Sequence, residues 1–593
     1  MPPACPRSRL GFGRLQPRRE AGAAQQRPAA PEARAARSTG SLARRRVASP
    51  VLRLGSAGAL LLAAGLGPAY ASGHSAPLST GLTYYISATG NDAADGTSPA
   101  TAWQSLNRAT AAQLPPGTRV LLDGGAQFAG TLAFTQEDAG DPSNPVHVGS
   151  YGQGPAVIAA PASSGVIIYD TAGIQITNLT LIGQASPPQG AGINLYNDLA
   201  GNIKLDHVSV SHVNISGFED GVSIGGGQGT SGFSHVAVSS SALHDNLANG
   251  LTSFGPAFDP ASPGYAHAHI SVSHVAAYRN LGDPAQISHN SGSGIVIGST
   301  SGATVAWSAA YDNGGQGGAL SQGPDGIWAY DSAGVVIKHN LSYRNRSNNS
   351  TDGGGFDLDQ NTSHSVLEYN LSYDNSGFGY LLYTPNTSYA HTSNVVRWNI
   401  SSADTQVNTR CGGIEVLGQI INARIYNNTV VMPPRPVTAP AIPLVLGGSP
   451  RGTTIRNNIF LTYQPGPVTS ARSALPRSAV LLQGNDYYSA AGTWKIMWGG
   501  TAYNSLAGFR SATQQEILAA SATGYSAAPQ LTGPVLDLTV TAPGDGGSGF
   551  TLGTTSPLRA KGLDLLALFG INPGPVDYSG SSVTSSALNV GAQ

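Results

Sequence analysis

Two cysteines, four lysines and a charged fraction of 11% are what this 593-residue sequence has least of. Cys5 lies in a segment expected to be removed, which leaves Cys411 alone, so no intrachain disulfide is expected in the mature chain whatever the redox compartment. The apolar stretch around Ala57 to Leu66 is short and broken by glycine, so no membrane span is expected in the mature chain. Gly, Ser, Asn and Thr are too plentiful for a membrane protein, and alternating Val, Ile and Leu too frequent for disorder. A β-rich, turn-rich soluble chain fits. Residues 1–71 hold twelve arginines, no lysine and two acids. The rest carries 19 basic and 30 acidic residues, a net charge near −11, which argues against nucleic acid as a partner.

The basic start, the apolar run and the small-x-small Ala69-Tyr70-Ala71 have the layout of a secretory signal peptide, with cleavage after Ala71. Secretion to the extracellular space or periplasm is therefore expected, with residues 72–82 as a linker. Arg44-Arg45-Arg46 also admits a twin-arginine reading. The basic region is longer than a signal needs, so its beginning reads as a disordered extension or an over-extended translation start.

After a strand at Tyr84, the Asn/Asp/Gly turn through Asn91, Asp92 and Asp95 leads to a short helix predicted from Ser105 to Ala112, placed to cover one end of a coil. Asx turns explain those polar residues better than calcium does. Short strand-like pieces follow at Arg119, Val146 and Val157. From about Val166 the chain repeats. Glycine-led strands begin at Gly221, Gly250, Gly294, Gly326, Gly355, Gly379 and Gly413. A second marker ends at Asn246, Asn280, Asn313, Asn345 and Asn375, at intervals of 34, 33, 32 and 30 residues. A unit of that length with about three short β segments must stack on copies of itself to bury its apolar face. Asn340, Asn370, Asn399, Asn428 and Asn457, 29 or 30 residues apart, predict an internal asparagine ladder, which also accounts for the sequons they fall in. A second short helix is predicted from Ser505 to Ala520, and a Gly/Ser-rich tail from Thr555 is expected to run back along the outside.

These features resemble the right-handed parallel β-helix superfamily of secreted, pectate-lyase-like, polysaccharide-acting proteins. The resemblance rests on Tyr84 to Trp103, and on Asp352-Gly-Gly-Gly-Phe-Asp-Leu-Asp-Gln with the Tyr369-Asn-Leu-Ser-Tyr-Asp-Asn that follows. It implies an all-β, single-stranded solenoid over residues 83–575, with an N-terminal cap, a short C-terminal helical element and a tail over 576–593. The fold hosts lyases, hydrolases, epimerases and binders, so it does not fix the reaction. Family 9 polysaccharide lyases carry an Asp-Gly-Phe strand ending in a lysine base, beside a calcium held by aspartates. The corresponding strand here, Gly354 to Asp359, has no lysine, which counts against a lysine-based lyase.

Strand alternation sends Phe356 and Leu358 inward and Asp357 and Asp359 outward. Stacked in register, the outward positions form one row of Trp328, Asp357, Leu381 and Glu415 and another of Tyr330, Asp359, Tyr383 and Leu417. Asp357 and Asp359 would then lie about 7 Å apart along the strand, and Asp357 and Glu415 roughly 10 Å apart across two rungs. The first distance matches the acid–base spacing of about 6.5–9.5 Å in an inverting glycosidase. Asp357 is the leading acid/base candidate, Asp359 its partner and Glu415 a reserve. Trp328, Tyr330 and Tyr383 would offer sugar platforms, while Arg344 and Arg346 would bind a uronate carboxylate or supply a lyase base.

Asp325 and Asp352 border this face as turn caps. With Asp331 they are also candidate calcium ligands, since that ion prefers hard oxygen donors. The histidines have no metal-ligand spacing and are placed at strand ends. The leading expectation is a secreted, monomeric glycoside hydrolase that acts on a polysaccharide and needs no cofactor. The alternatives are a calcium-dependent lyase of a uronate-containing glycan and a non-catalytic carbohydrate-binding surface protein.

Overall fold

A segment such as His339-Asn-Leu-Ser-Tyr-Arg-Asn345 holds two corners of one coil. In the computed structural model of the chain, His339 and Arg344 take left-handed φ values of 54° and 52°. Each is followed by a buried asparagine, Asn340 or Asn345. The corner residue turns the backbone and sends its own side chain outward, and the asparagine after it turns inward. The structure describes residues 81–318, 323–348, 351–385, 391–408, 410–434, 441–533, 540–544 and 547–593. The proposed signal peptide and most of the proposed linker lie outside them.

Repetition of these corners gives a parallel β-helix of about twelve turns. One wall is a 14-stranded sheet, parallel except for its last pair, Ile496–Trp498 with Thr501–Tyr503. The glycine-led segments all fall in this sheet. Its central strands are β1 (Val166–Tyr169), β2 (Ala191–Asn197), β3 (Asp220–Gly226), β4 (Asn249–Phe254), β5 (Ser293–Gly298), β6 (Ile327–Tyr330), β7 (Phe356–Leu358), β8 (Tyr380–Tyr383) and β9 (Gly412–Leu417). The other walls belong to a 25-stranded sheet. Ile295, Ile327, Phe356, Tyr380 and Ile414 stack inside as one buried column, with the Phe356 and Tyr380 rings 5.2 Å apart and nearly parallel.

Both asparagine series are ladders. Asn345 Nδ2 donates to Asn375 Oδ1 at 3.0 Å, and Asn375 Nδ2 donates to Asp404 Oδ1 at 2.8 Å. In the other ladder Asn370 Nδ2 reaches Asn399 Oδ1 at 3.1 Å, and the series continues through Asn428, Asn458 and Asn485. Each amide oxygen accepts from the coil before and each amide nitrogen donates to the coil after, so a ladder must end on an acceptor. Asp404 ends one, and Glu516, which takes Asn485 Nδ2 at 2.8 Å, ends the other. Asn457, expected in the ladder, is instead the left-handed corner, and Asn458 is the rung.

Ser105 caps α1 (Leu106–Thr110), as expected; Asn91 Oδ1 accepts the Ala93 amide and Asp95 Oδ1 the Thr97 amide, as Asx turns require, while the Asp92 carboxylate reaches across to the Gln104 and Ser105 amides. The second helix is shorter than predicted: α2 spans Leu506–Thr513. Beyond it Gln514 turns left-handed, and Gln515 and Glu516 enter the last coil, where Gln515 Oε1 accepts the Leu482 amide at 2.9 Å. The open end of the stack takes residues that the helix would otherwise hold.

The C-terminal tail does return along the outside. It follows the column of corner residues: Leu563 bonds Asn457, Pro573 accepts from Trp398 at 2.6 Å, and Val576 accepts from Tyr369 at 3.0 Å. Asn589 and Gly591 then come back to Asn427. Val590 and Ala592 are fully buried, so the last residues are part of the packed body. Cys411 is buried; Cys5, the other cysteine of the sequence, lies outside the described residues. Among the described residues no helix is long and apolar enough to cross a membrane.

Candidate active site

Strand pairing puts the outward rows where alternation predicts. Trp328 pairs with Asp357, Asp357 with Leu381 and Leu381 with Glu415. Tyr383 pairs with Leu417 in the second row. Phe356 and Leu358 lie in the core. The acids on this face are enclosed to different degrees: Asp357 is 0% exposed and Glu415 1%, while Asp352 and Asp359 each keep 6%.

The two banks of the face are built differently. On the bank before the strands, Asp325 Oδ1 accepts the Gly354 amide at 2.6 Å and Asp352 Oδ2 accepts the Gly323 amide at 2.8 Å. Each acid thus ties down the loop that carries the other. Asp352 sits at φ 54° and its carbonyl accepts from Asn408 Nδ2 at 2.7 Å, so the backbone is over-determined at this point. Gly354 is obligatory beside it, because a Cβ there would lie 2.1 Å from the Phe378 ring. On the opposite bank Asp359 Oδ1 accepts the Gln360 amide at 2.6 Å, and Asp331 Oδ1 accepts from Asn361 Nδ2 at 2.6 Å. Burial, with the Asp359 charge adding to it, pushes the Asp331 carboxyl up to about 7. The same burial and the charges of Asp331 and Asp359 raise the Tyr330 hydroxyl. The field on this bank is therefore strongly negative.

Asp325, Asp331 and Asp352 do not form one calcium cage: Asp331 stands on the far bank, and each of the three gives an oxygen to an N–H donor. Among the described residues no three His, Cys, Asp or Glu side chains converge as a metal site. Trp328 is 3% exposed and donates its indole N–H to Ser293 Oγ at 3.0 Å, with its ring tilted against Tyr330 at 5.3 Å. Tyr383 packs with Phe378, Leu381, Cys411 and Leu417.

The two arginines are not brought to this face. Arg344 is a corner residue whose guanidinium forks onto Asp312 at 2.7 and 2.8 Å and covers the Tyr343 ring. Arg346 reaches the carbonyl and carboxylate of Asp374. The cation that does reach the site is Arg472, whose Nη2 lies 2.8 Å from Glu415 Oε1. It arrives from two coils further on, lying back over Gly447, where a Cβ would come 3.0 Å from its Cδ. Carrying the register two rungs past Leu417, through Gly447, reaches Arg472. Asn408, from a loop with no repeat signal, offered the sequence no such clue.

No family model matches the chain. In sequence it is 24% identical over 455 residues to a lacto-N-biosidase of Bifidobacterium longum subsp. longum, a match covering 59% of this chain and 27% of that protein. The chain thus spans about a quarter of the length of the curated relative it matches. Among solved structures it is similar to the GH136 lacto-N-biosidase from Eubacterium ramulus, at 17% identity and a TM-score of 0.46 over 70% of this chain and 68% of that one. It is also similar to pectate lyase Pel9A, at 16% identity and a TM-score of 0.38 over 87% and 97%. The mannuronan C-5 epimerase AlgE4 A-module of Azotobacter vinelandii gives 15% identity and a TM-score of 0.39 over 69% and 91%. With its own strand pairing as the ground, this chain is a parallel β-helix protein.

Proposed function

We propose that the chain is a carbohydrate-active enzyme, a secreted glycoside hydrolase whose carboxylates work across the face of β7. The observation that carries this reading is the placement of three acids on one short segment, with Asp352 on one bank, Asp359 on the other and Asp357 on the strand between them. A glycan lying along the solenoid axis would cross β7 between the two banks. Sugar contact requires accessible surface. Asp359 keeps 6% exposure and Asp357 none, while Asp352 Oδ1 is enclosed and its Oδ2 holds the Gly323 amide, so we assign the acid to Asp359 and a partner role across the strand to Asp352.

The enclosed Asp357 belongs to the floor of the site, and burial beside other carboxyls favours a retained proton near neutral pH, as at Asp331. Glu415, held by Arg472, supports the floor and is not a proton donor. The 24% identity to a lacto-N-biosidase supports a hydrolase, and the absence of lysine from the β7 segment argues against a lysine-based lyase.

The test is product analysis on neutral and uronate-containing polysaccharides. New reducing ends without ultraviolet absorbance are expected, with a loss of about 100-fold or more in Asp359→Asn and in Asp352→Asn. An unsaturated, ultraviolet-absorbing product would replace the hydrolase with a lyase, and no product from any glycan would leave a binder.

A further inference from the structure

We propose that the outer face N-terminal to the acids is a binding track for a neutral, linear glycan, with Tyr169, Tyr196, Phe254 and Tyr330 as its ring platforms. The inference rests on the glycan reading above and does not require turnover. Tyr169 pairs with Tyr196, Tyr196 with Gly225 and Gly225 with Phe254, while Gly298 pairs with Tyr330. Carried through β4 and β5, this register makes one outward row that runs directly into Asp359. Its inward neighbours Ile168, Leu195, Ile224, Ile297 and Ala329 are fully buried, whereas the four aromatic residues are each partly exposed.

Rings that merely covered the coil would occupy every rung. Here glycine alternates with them from Tyr196 onward, and the rings lie down on it; Tyr169, one rung earlier, is nearly parallel to Tyr196 at 6.3 Å. A Cβ at Gly225 would fall 2.6 Å from Tyr196 Cδ2 and 2.7 Å from Phe254 Cζ, and one at Gly298 would fall 2.5 Å from Tyr330 Cε1. A ring pressed flat on backbone turns its other face outward, which is the orientation that stacks on a pyranose. Tyr196, Phe254 and Tyr330 recur every second rung, roughly 10 Å apart.

The parallel row adds hydrogen-bonding groups beside the platforms. Asn194 pairs with Ser223 and Ser223 with Thr252, giving amide and hydroxyl groups suited to sugar hydroxyls. Neither row holds a charged side chain from Ile167 to Tyr330. The carboxyls that flank it, Asp170, Asp198 and Asp220, offer a polyanion no positive charge. Lys204 is tied to the carbonyls of Thr230 and Tyr265 at 2.5 and 2.8 Å. A polyuronate would find no counter-charge along these rows, whereas a neutral chain needs none.

The experiment is affinity electrophoresis of the full chain in native gels, each containing one soluble polysaccharide: arabinoxylan, galactan, mixed-linkage β-glucan, polygalacturonate or alginate. Retardation is expected in at least one neutral gel. It should weaken about tenfold in the Tyr196→Ala/Phe254→Ala double variant, the size of one or two aromatic contacts, and persist in Phe254→Trp. Retardation only in the anionic gels, equal retardation of the double variant, or no retardation in any gel overturns the track. The same samples scored for reducing ends keep the two ideas apart: binding without product sinks the hydrolase and leaves the track, and product without platform-dependent binding does the reverse.

Discussion

Replacing Asn370 by alanine tests whether the asparagine ladder holds the coils together. Asn370 Oδ1 accepts both the backbone amide and the side-chain amide of Asn340, at 3.0 and 3.1 Å, and its Nδ2 donates to the Ile337 carbonyl at 2.8 Å and to Asn399 Oδ1 at 3.1 Å. Truncation removes all four bonds from a site that is 0% exposed. The Asn340 amides lose their acceptor and the Ile337 carbonyl loses a donor. At about 1–3 kcal/mol for each of these three buried groups, the loss is roughly 3–9 kcal/mol. That is a large part of the 5–15 kcal/mol typical of a folded domain. Asn457→Ala is the control. Its side chain is equally buried but points out of the coil to the N–H and carbonyl of Leu563, groups that water reaches once the tail loosens, so its loss should cost about 1–2 kcal/mol. Urea unfolding followed by circular dichroism gives both values. Equal midpoints for the two variants would refute the ladder as a source of stability.

Two further outcomes follow from buried carboxylates. Burial raises Asp404 from the ordinary 3.8 to about 7, so folding takes up a proton between those values. Its contribution therefore becomes less favourable as pH rises from about 4 to about 7 and is constant above that. Asp404→Asn keeps the acceptor for Asn375, so it should gain stability relative to the parent as pH rises through this window, read from urea midpoints at pH 5 and pH 8; an unchanged difference contradicts the raised carboxyl. Arg472→Met leaves Glu415 buried without its guanidinium, and because Arg472 is 27% exposed the cost should fall near the lower end of about 3–5 kcal/mol. Addition of Glu415→Gln should recover much of that loss in thermal unfolding, and a purely additive double variant would mean that the pair is not coupled.

The repeat was legible because each coil needs the same two corners and the same inward amides, so residue types recur at fixed intervals. The glycine-led strands and the alternation that turns Asp357 outward could be read for the same reason. What failed were choices between adjacent residues. At Asn457-Asn458 both side chains are asparagine and only the backbone decides which one turns inward. Arg344 carries charge suited to a uronate, yet its left-handed corner commits it to the Asp312 of the preceding coil. Burial was also beyond reach: alternation says which way Asp357 points but not what closes over it. Contacts such as Arg472 with Glu415 span 57 residues and depend on how a long side chain lies over a glycine. The track through Tyr169, Tyr196 and Phe254 was open to the register argument, which stopped at Trp328 and was not carried to the earlier strands.

The tail that returns to Trp398 and Asn427 sets an order of events. Coils can be added one after another from the N-terminal cap as the chain emerges, each settling on the one before. The clasp over the middle of the stack is made of residues 563–591, which follow every coil they cover. Until they arrive the Tyr369, Trp398 and Tyr426 surface stands bare, an unfinished wall that only a later stretch of chain can close.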